Sequence, residues 1–158
     1  MKFKSLICIV CLLSNPSFAG DLPFPKMTPG VLNPDVTQAN IDSTVCVKGW
    51  TKTIRPPTYY TNKLKRLQIT QYGYTNTNLK DYEEDHLIPL SVGGHPTDPR
   101  NLWPQPRHSE WGSAKKDALE FALFMGVCRR EVTLDDAQKA FATNWVEAYG
   151  RYGKLLYK

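Results

Sequence analysis

The run Asp81-Tyr82-Glu83-Glu84-Asp85-His86 sets four carboxylates beside one of the three histidines of this chain. A neutral imidazole is available as a base near pH 7. Carboxylate oxygens are hard ligands suited to Mg2+ or Mn2+. Asp85 and His86, being adjacent, hold the parts for metal-assisted phosphodiester hydrolysis. The carboxylate would sit on a metal that takes charge from the phosphate, and the imidazole would activate water. In an extended strand Asp81, Glu83 and Asp85 would share one face, and Glu84 and His86 the other. Clustered carboxylates repel, so something positive must compensate. A divalent cation would do so, and so would Lys80, Arg100 or Arg107. The plain alternative is a solvated charge run.

The segment just before this run is its electrical opposite. From Thr44 to Lys80 there is no acid, but there are Lys48, Lys52, Arg55, Lys63, Lys65, Arg66 and Lys80, with Trp50, Tyr59, Tyr60, Tyr72 and Tyr74 among them. Basic groups neutralise phosphates, and aromatic faces stack on bases. The alternative is a solvated basic face with its aromatics in the core.

The elements that must position these residues can be read from periodicity and breakers. Val45 to Ile54 reads as a strand or ordered loop, and Arg55-Pro56-Pro57-Thr58 must turn the chain. Thr61 to Gln71 fits a short helix with Leu64 and Leu67 inward and Lys63, Lys65 and Arg66 outward, stopped at Gly73. Tyr82 to Pro89 reads as a strand ending at proline. Gly93-Gly94 and Pro96 to Pro99 form an irregular turn, and Asn101 to Pro104 a return strand. Ser113 to Val127 is a helix that Ser113 can cap, with Ala118, Leu119, Ala122, Phe124 and Met125 as its apolar face. A last helix opens at Thr133-Leu134-Asp135-Asp136, a capping-box variant, and carries Ala137, Ala140, Phe141, Trp145 and Ala148 at helical spacing. The expected fold is α+β: one small domain with a strand-loop-strand-helix core over about 81–125 and additional helices.

In that order of elements, Asp85-His86-Leu87-Ile88-Pro89-Leu90, then Gly93-Gly94, then Asn101-Leu102, resembles the first two-thirds of the HNH (His-metal-finger) nuclease motif. The match covers residues 81–120. Val36-Thr37-Gln38-Ala39-Asn40 and Trp103-Pro104 are also similar to small exported bacterial proteins labelled HNH endonuclease. The resemblance implies two strands and a helix clasping a metal, with Asp85 as metal ligand and His86 as general base. Asn101 would fix the loop or backbone that holds His86, and Arg100 or Arg107 would contact phosphate. It implies a metal-dependent endonuclease acting on DNA, or alternatively RNA, with little sequence preference. The motif's helix normally supplies a further His or Asn ligand, but this chain reads Glu110-Trp111-Gly112-Ser113-Ala114-Lys115-Lys116-Asp117 there. Glu110 and Asp117 are the candidate replacements, with His108 as an earlier third. Mg2+ or Mn2+ is the expected metal, and Zn2+ the alternative. Lys63, Lys65, Arg66, Arg100, Arg107, Lys115 and Lys116 are the candidate nucleic-acid contacts. A catalytically weak or inactive nucleic-acid-binding module of the same fold is the alternative function.

The 158 residues fit one domain. Residues 1–19 read as an export signal: Lys2 and Lys4, then an apolar run from Leu6 to Leu13, then Ser17-Phe18-Ala19. Its removal takes away two lysines and no acid, so a net charge of +5 becomes +3. It also removes Cys8 and Cys11. Cys46 and Cys128 remain and read as one disulfide, the alternative being two buried thiols. The expected location is periplasmic or secreted, with no membrane contact after cleavage. The expected state is a monomer, and an inhibitor partner would leave no mark in the sequence. Residues 20–36, with Pro23, Pro25, Pro29 and Pro34, read as an extended arm or a disordered lead-in.

Overall fold

The computed structural model describes Gly20 and residues 22–157, excluding the side chains of 156 and 157. The expected export signal, with Cys8 and Cys11, lies outside the described residues. Among these described residues the architecture is α+β, with one two-stranded antiparallel sheet and four α-helices: α1 (Trp50–Ile54), α2 (Thr58–Gln71), β1 (Tyr82–His86), β2 (Leu102–Pro106), α3 (Ser113–Cys128) and α4 (Leu134–Tyr152). No helix among the described residues is long and apolar enough to cross a membrane.

The hairpin pairs Tyr82 with Pro106, Asp85 with Trp103 and His86 with Leu102. Successive strand residues point to opposite faces. Each face of the hairpin is met by a buried lysine. On one side Lys65 of α2 donates to the carbonyls of Leu79 (3.1 Å) and Tyr82 (3.0 Å). On the other, Lys116 of α3 donates to the carbonyl of His86 at 2.7 Å. Trp103, Leu119, Leu123, Phe141 and Trp145 form the core between the hairpin, α3 and α4.

Several expectations are corrected. Trp50–Ile54 is a helical turn, entered through Gly49 at φ +84°, where a strand or loop was expected. α2 begins three residues earlier than its apolar pattern suggests, directly after Pro57. Its inward face is Lys65, Gln68 and Ile69, while Leu67 is exposed. The backbone carbonyls of the hairpin need donors, and long polar side chains supply them where leucines cannot. Ser113 does not cap α3; it is buried in the first turn and Gly112 holds the cap position. A Cβ at Gly112 would lie 2.4 Å from the Arg107 carbonyl oxygen, so the approach requires glycine. α4 starts where its capping signal says, with the Thr133 side chain accepting from the Asp136 N–H.

The proline-rich segment is part of the domain. Thr28 Oγ1 lies 2.6 Å from the Tyr72 hydroxyl, and Val36 is in the core. Backbone bonds run from Gly30 to Arg100, from His95 to Val31, and from Asn33 to Gly93. The segment therefore lies along the loop that follows β1. Cys46 and Cys128 form the disulfide, with Cα atoms 5.6 Å apart, fastening the chain before α1 to the end of α3.

Candidate active site

Fifteen residues, 87–101, join β1 to β2, and Asn101 closes them into a rigid loop. Its carboxamide is fully buried. It accepts from the Ile88 N–H and donates to the carbonyls of Ile88 and His95, each at 3.0 Å. Gly94 makes room for this clamp, because a Cβ there would overlap the Ile88 carbonyl. Gln138 of α4 holds the same loop by donating to the Val92 carbonyl at 3.0 Å. His95 Nδ1 accepts from the backbone of Asp98 (2.9 Å) and Thr97 (3.2 Å). His95 is thus a half-buried residue tied to the loop's own backbone.

The loop carries the Pro96 carbonyl to His86. His86 Nε2 lies 2.8 Å from that oxygen. A carbonyl only accepts, so Nε2 carries the proton and Nδ1 keeps the lone pair. Burial lowers the His86 pKa below its ordinary 6.5; Lys116 and Arg55 act the same way, against the pull of the Pro96 carbonyl and Asp85. The ring is therefore neutral at pH 7, with one nitrogen available to take a proton.

His86 lines a cavity of about 290 Å³ together with Glu83, Asp85, Asp117, Glu120, Arg55, Ser91, Phe121 and Phe124. Asp85 and Asp117 both line this cavity. Glu110 does not: it is exposed in the loop before α3 and outside this cavity. His108 faces a separate cavity with Asp81, whose carboxylate accepts from Asn76 and Asn78. Glu120 and Arg55 reach the cavity although neither was singled out for it. Glu120 accepts from Ser91 Oγ at 2.7 Å. Its place could have been read from the helix, since it lies three residues after Asp117. Arg55 has no comparable signal; the turn at Pro56-Pro57 brings it in.

Negative charge accumulates on this wall. Burial, then Asp85, Glu83 and Glu120, push the Asp117 carboxyl up to about 6. Burial raises Glu120 as well, against the pull of Lys116. Glu83 is paired with Arg107 at 2.8 Å. Lys116 Nζ is 2.6 Å from Asp85 Oδ2. Glu84 faces away, toward Lys65 and α2. Both its carboxyl oxygens are buried without a hydrogen bond, and burial pushes its pKa up to about 9.

Two expected nucleic-acid contacts are corrected. Lys65 is buried under the hairpin, and Lys116 has no exposed surface at all. Their ammonium groups are spent on backbone carbonyls and, for Lys116, on Asp85. Lys63 and Arg66 are exposed on α2. Lys115 lies over the Trp111 ring at 4.3 Å, and Arg100 is paired with Asp98 at 2.6 Å.

Different metals ask for different donor sets. A zinc site is a preformed cage of three or four ligands. Among the described residues no group of three His, Cys, Asp or Glu side chains is drawn together in that way. Mg2+ and Mn2+ need less: one or two carboxylates, with water and substrate phosphate completing the shell. Asp85 and Asp117, from β1 and α3, are two carboxylates that line this cavity. Comparison with protein-family models, curated proteins and solved structures finds no match to this chain.

Proposed function

We propose that this chain is an exported, metal-dependent endonuclease that hydrolyses DNA, or RNA, with little sequence preference. The observation that carries the reading is His86: a neutral imidazole whose Nε2 is tied to the Pro96 carbonyl, beside Asp85 and Asp117 in one open cavity. A histidine merely filling a core would not line a cavity with two carboxylates.

His86 Nδ1 takes the proton from the attacking water. Asp85 and Asp117 would hold Mg2+ or Mn2+, which when bound supplies positive charge for the phosphate and the leaving oxygen. Arg55, which makes no ion pair among the described residues, lines the same cavity and would contact the phosphate. Phe121, 58% exposed on the rim, offers a face for a nucleobase. Lys63 and Arg66 extend the basic surface along α2. Nothing in this set reads base edges, which accords with low specificity. The Cys46–Cys128 bridge suits an oxidising compartment such as the periplasm or the medium.

A second reading is a nucleic-acid-binding module without turnover. The Lys116–Asp85 pair favours it, because it already neutralises one proposed ligand. Plasmid digestion in Mg2+, in Mn2+ and with chelator, beside His86→Ala, separates the two. Cutting that needs both metal and His86 supports the enzyme. Retarded DNA on a gel with no cutting in any metal supports the module.

A further inference from the structure

Lys116 is an unusual residue to find without exposure. It sits on α3, one position before Asp117, and its stem runs past the Phe141 ring, with Nζ 5.1 Å from the ring centre. Its ammonium makes two contacts: it donates to the His86 carbonyl at 2.7 Å, and it lies 2.6 Å from Asp85 Oδ2 as an ion pair. A single ammonium thus grips both members of the Asp85-His86 pair, one by its backbone and one by its side chain. It does so from the helix that also supplies Asp117 and Glu120 to the cavity.

A structural role explains the His86 carbonyl contact. It does not explain why the cation is aimed at the carboxylate that lines the cavity. Four carboxylates surround this space. Glu83 has Arg107 outside it, and Glu120 has a neutral partner in Ser91. Of the four, Asp85 is the one in ion-pair contact with the buried Lys116, which pulls on Glu120 and Asp117 without an ion pair. That charge fixes Oδ2 and leaves Oδ1 as the oxygen free for another cation. It also repels that cation at short range, where the protein screens poorly.

We propose that Lys116 is a positioning residue that holds Asp85 in place and lowers the affinity of the cavity for a free divalent cation, so that the metal enters together with the phosphate. This rests on the nuclease reading of the same cavity. A polyanionic substrate brings the charge that offsets Lys116, and the ion then completes its shell from phosphate and water. The free protein stays nearly metal-free, and nucleic acid recruits the ion.

The test is Mn2+ binding to the purified, disulfide-bonded protein without nucleic acid, read from the electron paramagnetic resonance of the free ion. Wild type binds Mn2+ weakly. Lys116→Gln, which keeps a donor but removes the charge, binds it about tenfold more tightly or better. Lys116→Arg stays near wild type, and the gain disappears in Lys116→Gln combined with Asp85→Asn. A lysine that only supported the fold would give no gain. Equal or weaker Mn2+ affinity in Lys116→Gln therefore overturns the proposal. Should Lys116→Gln melt before it can be titrated, the same question is read from its Tm. Mn2+ must raise that Tm more than it raises the wild type's, and an equal or smaller rise overturns the proposal. Wild-type cutting of DNA beside an unchanged Mn2+ affinity ends this inference and leaves the nuclease reading intact. A tightened affinity in a chain inert on DNA does the reverse.

Discussion

The Asn101 side chain pairs with the Ile88 backbone in both directions, accepting from its N–H and donating to its carbonyl, each at 3.0 Å. The two residues stand at opposite ends of the loop between β1 and β2. Their pairing turns fifteen residues into a frame that sets the Pro96 carbonyl against His86.

Asn101→Ala should therefore cost both stability and rate. It strands a buried N–H and two buried carbonyls, at about 1 to 3 kcal/mol each. A loss of about 4 kcal/mol, roughly 8 to 16 °C in Tm, is expected for a domain of this size. Thermal melts and cutting rates on the same sample check it. An unchanged Tm contradicts the clamp.

Glu84 gives a pH dependence of defined sign. Its folded value of about 9 lies above the ordinary 4.5, so the folded chain keeps a proton that the unfolded chain releases. That contribution is full below 4.5 and is lost as pH rises toward 9. His86, with its lowered value, acts only on the acid side, below 6.5. Between pH 7 and 9 the wild-type Tm should fall, and Glu84→Gln should fall less and melt higher at pH 9. Parallel curves for the two proteins rule the assignment out.

The bridge between Cys46 and Cys128 closes a separation of 82 residues. By loop entropy it contributes about 4.5 kcal/mol. The Cys46→Ser/Cys128→Ser double variant should lose most of that in denaturant melts. A loss below about 1 kcal/mol would mean the reduced chain is already constrained there.

Arg55→Ala should weaken nucleic-acid binding and lower the slope of log affinity against log salt by about one. Titrations at several salt concentrations measure this. A slope equal to wild type places Arg55 off the phosphate path.

Much of this was legible in the residues. The hairpin and α3 follow from period, and α4 from period and its Thr133 cap. Asn101 and the glycine pair fall at the spacing that the loop needs. Cys46 and Cys128 are the pair left once the expected export signal is set aside. What stayed hidden is set by tertiary contact. Lys65 and Lys116 look like surface charges because the carbonyls and the carboxylate that bury them come from the hairpin. Arg55 arrives through a proline turn whose direction no periodicity encodes. Residues 20–36 look like a loose arm because their partners are the backbone groups of Gly93, His95 and Arg100. Glu110 was nearest by spacing, yet it precedes the helix and points elsewhere, while Asp117 and Glu120 share the face that meets Asp85.

The central claim is that His86 is the base of a metal-dependent nuclease, and plasmid cutting by wild type and His86→Ala tests it most directly. The account predicts cutting in Mg2+ or Mn2+, none with chelator, and a rate about a hundredfold or more lower in His86→Ala. Wild type and His86→Ala that cut equally, or that are both inert in every metal, would contradict it.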